Sequence, residues 1–336
     1  MKILFIRFSS IGDIVLTTPV VRCVRKQLNA EVHYLVKESY APALHGNPYI
    51  DRLITIIEDV KEVTEFLREQ RYDWIADFHH NLRSLQVKRA LRRPGASFPK
   101  LNVEKWLLTN FKINRLPTVH IVDRYFATVK PLGVENDGRG LDFFIPEEMH
   151  VDVARLSNGL LIPGRFISMA IGAGLPTKNL EDAQWLEVIR KIPMPCALLG
   201  GPGDVQRGEW LAANSQNCIH LAGNLTLAQS ASVIAQSSSL VTPDTGLMHI
   251  AAALRKPILS IWGNTVPEFG MSPYYPEALM VANHKFEVKN LPCRPCSKIG
   301  FAKCPRGHFR CMREQRIEDI AKAIEEVQDG SRFKSV

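Results

Sequence analysis

The stretch that decides the fold is residues 241–254, VTPDTGLMHIAAAL. It continues a buried apolar strand and then predicts a helix that begins at Thr245, with Asp244 as the N-cap. A helix start presents unpaired backbone N–H groups and a partial positive charge, and Gly246 leaves room for a close approach. Thr245 and His249 are four residues apart and share one helix face. The pattern indicates an anion site, or an ordinary capped crossover with a buried histidine.

Length and composition indicate a globular protein of two domains. The chain has 336 residues, 46% of them hydrophobic and 23% charged, enough for about two domains of ordinary size. No apolar run approaches the roughly 20 residues that a membrane span needs. Residues 1–7 are charged too early for a signal peptide, so we expect a cytoplasmic protein.

The net charge of +8 suits an anionic partner, which can be a phosphorylated ligand, a nucleic acid or an acidic membrane surface. The excess is concentrated in residues 83–115, where nine basic residues accompany a single acid, Glu104. This basic segment either receives an anionic substrate or forms a solvated helix face followed by a loop.

Strands alternate with helices in both halves of the chain, which predicts an α/β protein with a parallel sheet in each half. A segment rich in Gly, Pro and charge at 135–165 separates the halves. We therefore predict one domain at 1–155 and a second at 156–330. The last helix, 317–327, could pack back on the first domain. The predicted strands are 2–8, 31–36, 52–57, 74–78, 166–171, 196–199, 219–221, 240–241 and 257–262.

Two side chains stand out at the sheet edges where ligands of such domains bind. Asp13 follows Gly12 in the turn after the first strand, where its carboxylate can act as a base or serve only as an N-cap. Lys178 directly precedes a predicted helix cap, where its ammonium can add to the helix-end charge against a diphosphate. The alternative for Lys178 is a solvated loop lysine.

Three segments together resemble one enzyme family. They are SSIGD at 9–13 with TTP at 17–19, DFHHNLRS at 77–84, and DTGLMH at 244–249. In this order the chain is similar to glycosyltransferase family 9, whose best-known members are the lipopolysaccharide heptosyltransferases. The resemblance covers nearly the whole chain. It implies a GT-B architecture, in which two Rossmann-like, doubly wound domains face each other across a cleft, with the acceptor on the N-terminal domain and the nucleotide sugar on the C-terminal domain.

The resemblance also implies the reaction, an inverting transfer of heptose from ADP-heptose to a lipopolysaccharide core acceptor. The acceptor is an anionic lipid-linked glycan at the inner membrane surface, so peripheral membrane contact is implied, without a cofactor, a catalytic metal or a nucleic-acid partner. Residues 172–174 lack the hydroxyl groups that heptosyltransferases often have before the donor lysine. Another nucleotide sugar on a different surface glycan therefore stays an alternative, as does a relative that binds nucleotide sugars without catalysis.

The family's roles extend to matching positions of this chain. Asp13 matches the general base, which takes the proton from the acceptor hydroxyl. The acceptor side is implied to include Ser10, Gly12 and Arg83. The donor side is implied to include Lys178, Asp244, Thr245, Gly246, His249, Gly174 and Leu225.

A cysteine cluster near the C-terminus admits two interpretations. Cys293 and Cys296 are spaced as C-x-x-C, and Cys304, His308 and Cys311 follow. Four cysteines in a cytoplasmic chain favour zinc over disulfides, but the second pair lacks the C-x-x-C spacing. The alternative is a set of reduced thiols in a Pro-rich loop.

Overall fold

Two parallel β-sheets form the framework of the computed structural model, which describes residues 1–328. The first sheet has the order β3-β2-β1-β4-β5, with β1 Lys2–Ile6, β2 Glu31–Lys37, β3 Arg52–Ile56, β4 Trp74–Asp77 and β5 Gly95–Ser97. The second has the order β11-β10-β9-β6-β7-β8, with β6 Ile167–Ala170, β7 Cys196–Leu199, β8 Cys218–His220, β9 Ser239–Pro243, β10 Ile258–Trp262 and β11 Asn283–Glu287.

Helices connect the strands of both sheets. Those of the first half are α1 Ile11–Val15, α2 Thr18–Leu28, α3 Lys61–Glu69, α4 Leu82–Leu91, α5 Asn102–Phe111 and α6 Ile121–Phe126. Those that follow are α7 Val153–Leu156, α8 Asp182–Lys191, α9 Val205–Ala213, α10 Leu227–Gln236, α11 Gly246–Ala253, α12 Arg310–Arg313 and α13 Ile317–Gln328. Short 3₁₀ turns lie at Glu38–Ala43, Lys130–Leu132, Glu147–Met149, Pro176–Lys178, Pro202–Asp204 and Pro267–Phe269.

The central strands are mostly apolar and are buried along almost their whole length because both faces of each sheet are covered. All residues of β6, β9 and β10 are buried, and so are Ile3 to Ile6 of β1. Neighbouring strands run parallel throughout, for example β1 beside β2 and β4. The α/β class and the two doubly wound sheets predicted from the alternating pattern are confirmed.

The two halves meet at the starts of α1 and α11, and neither start has a side chain at the closest point. A Cβ atom added to Gly12 would lie 2.6 Å from Cδ2 of His249 and 3.4 Å from Cα of Gly246. A Cβ atom on Gly246 would in turn lie 2.9 Å from Cγ2 of Ile11. Such distances leave no room for a methyl group, so both glycines are required by the close packing of α1 on α11. The domain limits 1–155 and 156–330 stay a prediction.

The helix after β9 begins later than the sequence predicts. Thr245 is the N-cap of α11 and Asp244 precedes it, so the prediction of Asp244 as the cap is wrong. The Asp244 carboxylate instead accepts a hydrogen bond from Lys178 Nζ at 2.7 Å and one from Thr265 Oγ1 at 3.1 Å. The carboxylate is thus engaged by an ammonium and a hydroxyl group rather than by the N–H groups of α11.

The last helix, α13, packs on its own half of the chain. Ile317, Ile320 and Ile324 are buried in a hydrophobic cluster with Trp185 and Ile189 of α8. Its main contacts are with α8 and β10. The expectation that this helix packs back on the first domain is therefore wrong for the part of it that the structure describes, because its single apolar stripe is already covered by α8.

Candidate active site

The Asp13 carboxylate lies at the carboxyl edge of the first sheet, in the first turn of α1. Its Oδ1 atom is 2.7 Å from Nη2 of Arg7, and its Oδ2 atom accepts hydrogen bonds from Ser10 Oγ at 2.8 Å and Ser10 N at 3.3 Å. Ser10 rather than Asp13 is the N-cap residue of α1. The Asp13 side chain is 20% exposed, so it is not sealed in the core.

Arg7 fixes this carboxylate and its charge. It follows β1 and is 8% exposed, and its guanidinium also donates to Ser9 O and Phe78 O. Burial raises the pKa of Asp13, but the Arg7 charge and the Ser10 hydrogen bonds outweigh it and hold the pKa below its usual value. Asp13 is therefore ionised at neutral pH, as a proton acceptor must be.

His249 lies beneath this turn rather than in the open cleft. It is 2% exposed, its ring contacts Gly12 across the two halves, and its Nδ1 atom has no hydrogen-bond partner among the described residues. Burial lowers the pKa of His249 to about 4, so the ring is neutral at pH 7. The His249 ring packs against Gly12 so closely that a larger residue than glycine would not fit there, which gives both residues a structural role. Their predicted ligand roles stay predictions.

Lys178 and Asp244 meet at the start of α11. Lys178 ends a 3₁₀ turn, and its ammonium pairs with Asp244 at 2.7 Å while both side chains remain less than a fifth exposed. The Thr245 side chain contacts Thr242 Oγ1 at 3.1 Å and does not cap the helix. The first N–H groups of α11 therefore have no side-chain cap, and they follow directly after Asp244, the partner of the Lys178 ammonium.

The loop after β4 is held by one buried carboxylate. Asp77 is fully buried, and its Oδ1 atom accepts from the backbone N–H groups of His79 at 3.0 Å and His80 at 2.7 Å. Its Oδ2 atom accepts from Ser84 Oγ at 2.9 Å. Arg83 is exposed in the first turn of α4, directly after this loop. Asp77 thus fixes the backbone that leads to Arg83.

The remaining predicted positions are more scattered. Gly174 is exposed, and a Cβ atom on it would meet nothing within 4 Å. Leu225 is half-buried against the large hydrophobic cluster. Ser10 is exposed and bonded to Asp13.

The cysteines are all free thiols. Cys293 Sγ lies 3.7 Å from His308 Nε2. Across residues 1–328, no three His, Cys, Asp or Glu side chains converge as a metal site requires. The geometry of the described chain gives the zinc interpretation no support.

Sequence reasoning missed Arg7 and Thr265. Arg7 is a charged residue that directly follows an apolar strand at the ligand edge of the sheet, and that position was the available signal. Thr265, whose hydroxyl bonds to Asp244, follows β10 by three residues and is 2% exposed. No motif marks Thr265, because its partner Asp244 follows a different strand, β9.

The arrangement provides an ionised carboxylate on one half and cationic and N–H donors on the other. A carboxylate held in place can accept a proton from a nucleophilic hydroxyl. Fixed positive groups can stabilise negative charge that develops on a leaving phosphate. Both kinds of group meet where α1 contacts α11.

A comparison with family models decides the family. Residues 60–298, most of the chain, match the model of glycosyltransferase family 9 (heptosyltransferase). The chain belongs to glycosyltransferase family 9. It is therefore a glycosyltransferase, and the family resemblance predicted from the motifs is confirmed. The matched range begins after Asp13, so the general-base role of that residue stays a prediction.

Relatives of this family 9 chain are similar over almost their whole length. Lipopolysaccharide heptosyltransferase 1 of Pseudomonas aeruginosa is 25% identical over 331 residues, which cover 89% of this chain and 86% of that protein. The glycosyltransferase family 9 structure from Veillonella parvula has a TM-score of 0.76 at 22% identity, with 98% and 97% of the chains covered. The E. coli ADP-heptose lipopolysaccharide heptosyltransferase II has a TM-score of 0.72 at 19% identity, with 98% and 99% covered. These neighbours confirm the GT-B fold.

Proposed function

We propose that this glycosyltransferase transfers heptose from ADP-heptose to a lipopolysaccharide core acceptor with inversion at the sugar carbon. Its relatives carry these substrates in their names, and the whole-length similarity supports extending them to this chain. The observation that carries the proposal is the Asp13 carboxylate, which Arg7 and Ser10 hold beside the start of α11.

Inversion requires a base on the side opposite the leaving group. In the proposed reaction Asp13 removes the proton from the acceptor hydroxyl, the hydroxyl oxygen forms a bond to the sugar carbon, and the bond to ADP breaks. Lys178 and the N–H groups at Gly246 neutralise charge on the departing diphosphate, and Thr245 borders it. Asp244 orients Lys178 through their 2.7 Å contact.

The other predicted positions take secondary roles in this proposal. On the donor side, Gly174 gives the open loop space for the sugar and Leu225 an apolar contact. His249 supports the helix start from below and borders the donor there. On the acceptor side, Ser10 and Gly12 shape the turn and Arg83 supplies a positive charge.

The test is transfer from purified donors to heptose-free lipopolysaccharide, followed by mass spectrometry of the glycan and measurement of released ADP. A mass increase of one heptose, with the anomeric configuration inverted by NMR, supports the proposal. Transfer only from a UDP- or GDP-sugar would replace the donor. Binding of ADP-heptose without any release of ADP would support the non-catalytic alternative.

We also propose that α5 carries the peripheral contact with an anionic membrane. Val103, Trp106, Phe111 and Ile113 are 67%, 54%, 58% and 47% exposed, and the Trp106 and Phe111 rings lie 5.1 Å apart. All four residues lie within the basic segment 83–115. Exposed aromatic residues beside positive charges suit the interface of an anionic bilayer. No helix within residues 1–328 is long and apolar enough to cross a membrane.

Co-sedimentation with vesicles tests this contact. The wild type should bind vesicles that contain phosphatidylglycerol, and a Trp106→Ser/Phe111→Ser variant should lose most of that binding. Trp210→Ser is the matched control, because Trp210 is 43% exposed on α9 of the other half. Equal binding by all three proteins would reject α5 as the membrane contact.

A further inference from the structure

A cavity of about 250 Å³ lies in the second half of the chain, at the segment that carries four of the cysteines. Its lining consists of Leu291, Pro292, Cys293, Arg306, His308 and Arg310. One nucleophilic side chain and three side chains that can carry positive charge thus line the same space, with leucine and proline as its apolar wall. None of these six residues belongs to the donor or acceptor positions described above, so the cavity has no assigned ligand.

Cys293 is partly exposed and contacts the ring of His308. Its Sγ atom lies 3.7 Å from His308 Nε2. The other ring nitrogen, Nδ1, accepts a hydrogen bond from the backbone N–H of Arg310 at 3.1 Å. Because Nδ1 is an acceptor, the ring hydrogen is carried by Nε2, which faces the sulfur. His308 is therefore placed to stabilise negative charge on this sulfur while the thiol reacts.

Arg306 contributes a positive charge to the cavity that no protein group neutralises. It is exposed and forms no hydrogen bond or ion pair within residues 1–328, whereas the guanidinium of Arg310 is paired with Glu314. The ammonium of Lys112, at the end of α5, donates to Cys293 O at 3.2 Å. Partly exposed, electropositive surroundings are typical of cysteines that react with disulfides.

The other cysteines lack this combination of exposure and charge. Four of them are buried: Cys23, Cys196, Cys218 and Cys311. A hydrogen bond with Cys196 lowers the pKa of Cys218 to about 7, but Cys218 is only 9% exposed. Cys296 is partly exposed, and burial and the neighbouring thiols raise its pKa. Cys304 is partly exposed and does not line the cavity.

We propose that Cys293 is a site of reversible thiol modification, at which a small disulfide with carboxylate groups, of the glutathione type, forms a mixed disulfide. The Cys293 sulfur attacks one sulfur of the small disulfide, a new S–S bond forms, and the old S–S bond breaks. The other half of the small disulfide leaves as a thiolate and takes up the proton, so no further oxidant is needed. Arg306 pairs with a carboxylate of the disulfide. This inference does not depend on the proposed sugar transfer.

Mass spectrometry of the full chain after incubation with oxidised glutathione tests the site. The reduced Cys296→Ser variant, which lacks the neighbouring thiol of the C-x-x-C pair, should carry one glutathione, and peptide mapping should locate it on Cys293. Cys293→Ser should stay unmodified. Cys304→Ser is the matched control and should lose its free Cys293 thiol at the wild-type rate. Reaction of Cys293→Ser as fast as the wild type, or an adduct on Cys218 or Cys304 instead, would overturn the proposal.

Two further variants separate the charge of the ligand from the reactivity of the thiol. Arg306→Gln should slow the reaction with oxidised glutathione roughly two- to fivefold, the effect of losing one exposed ion pair. It should not slow the reaction with cystamine, a disulfide that carries ammonium groups in place of carboxylates. His308→Leu should slow both reactions, because the sulfur loses its hydrogen-bond donor. An unchanged rate of Arg306→Gln with oxidised glutathione would overturn the assignment of an anionic ligand.

Discussion

Nη2 of Arg7 lies 2.7 Å from Oδ1 of Asp13, and this contact ties the proposed base to the end of the first strand. Because Arg7 also donates to Ser9 O and Phe78 O, the guanidinium joins β1, the turn before α1 and the exit of β4. Through Arg7 the proposed base is thus tied to three parts of the first half, and its geometry depends on this one guanidinium.

Asp13→Asn should remove turnover while the fold is kept. Asparagine has the same size and can keep the contact with Ser10, but it cannot accept the acceptor proton. We expect kcat to fall roughly 10²–10⁴-fold, the usual contribution of a positioned acid–base group. ADP titration by calorimetry should give the wild-type affinity, because the diphosphate is held from the other half. Turnover near the wild-type rate would move the search for the base to Asp244.

Arg7→Met should shift the acidic limb of the pH–rate profile upwards. In the wild type, the pKa of Asp13 lies below its usual value, so activity is lost only as the pH falls through that low pKa. Without the Arg7 charge, burial dominates and raises the pKa, so activity should already be lost at higher pH. Arg7→Lys should restore part of the wild-type profile. A profile that keeps its limb while kcat falls would mean that Arg7 acts only on the fold.

Lys178→Ala should weaken binding of ADP and ADP-heptose by roughly 1.5–3 kcal/mol, the range for a charge-assisted hydrogen bond. Adenosine carries no phosphate and should bind the variant and the wild type equally. The Asp244 carboxylate loses its ammonium partner in this variant, so Lys178→Ala/Asp244→Asn is the control for an unpaired charge. Calorimetry that shows the same loss for adenosine as for ADP would rule out a phosphate role.

Gly12→Ala should disturb the contact between the halves. The new methyl group would lie 2.6 Å from the buried His249 ring, which has little room to move. We expect a lower melting temperature, with part of the loss recovered in Gly12→Ala/His249→Ala. Gly203→Ala is the matched control, since a Cβ there meets nothing within 4 Å. A Gly12→Ala protein as stable as the control would show that the halves sit further apart in solution.

Acid should destabilise the protein through three histidines. Burial lowers the pKa of His79, His120 and His249 to about 4, whereas the unfolded chain binds these protons near pH 6.5. The unfolded state therefore holds more protons between these limits, so the free energy of unfolding falls as the pH drops from about 6.5 to about 4. Urea titrations at pH 7, 6 and 5 measure this slope. His120→Gln should make it shallower, and an unchanged slope would contradict the assignment for that residue.

The alternation of strands and helices predicted both sheets. This alternation reflects which residues are buried, and burial is visible in the sequence as a pattern of apolar residues. Motif spacing likewise indicated Asp13 and Lys178, since each follows a strand at the ligand edge. The prediction of the N-cap was wrong at Asp244, because this carboxylate pairs with Lys178, 66 residues away in the chain. Thr265 belongs to the same limit, because its hydrogen bond to Asp244 depends on how the exits of two neighbouring strands pack.

The glycine contact between α1 and α11 also bears on how such enzymes can be re-engineered. Hybrids that join the first half of one relative to the second half of another would change donor and acceptor preferences independently only if the seam is preserved. At α1 and α11 the seam between the halves consists of Gly12, Gly246 and the His249 ring, with Ile11 against its edge. Exchange of a half therefore needs these four positions to be transplanted as one unit, before any substrate-binding residue is altered.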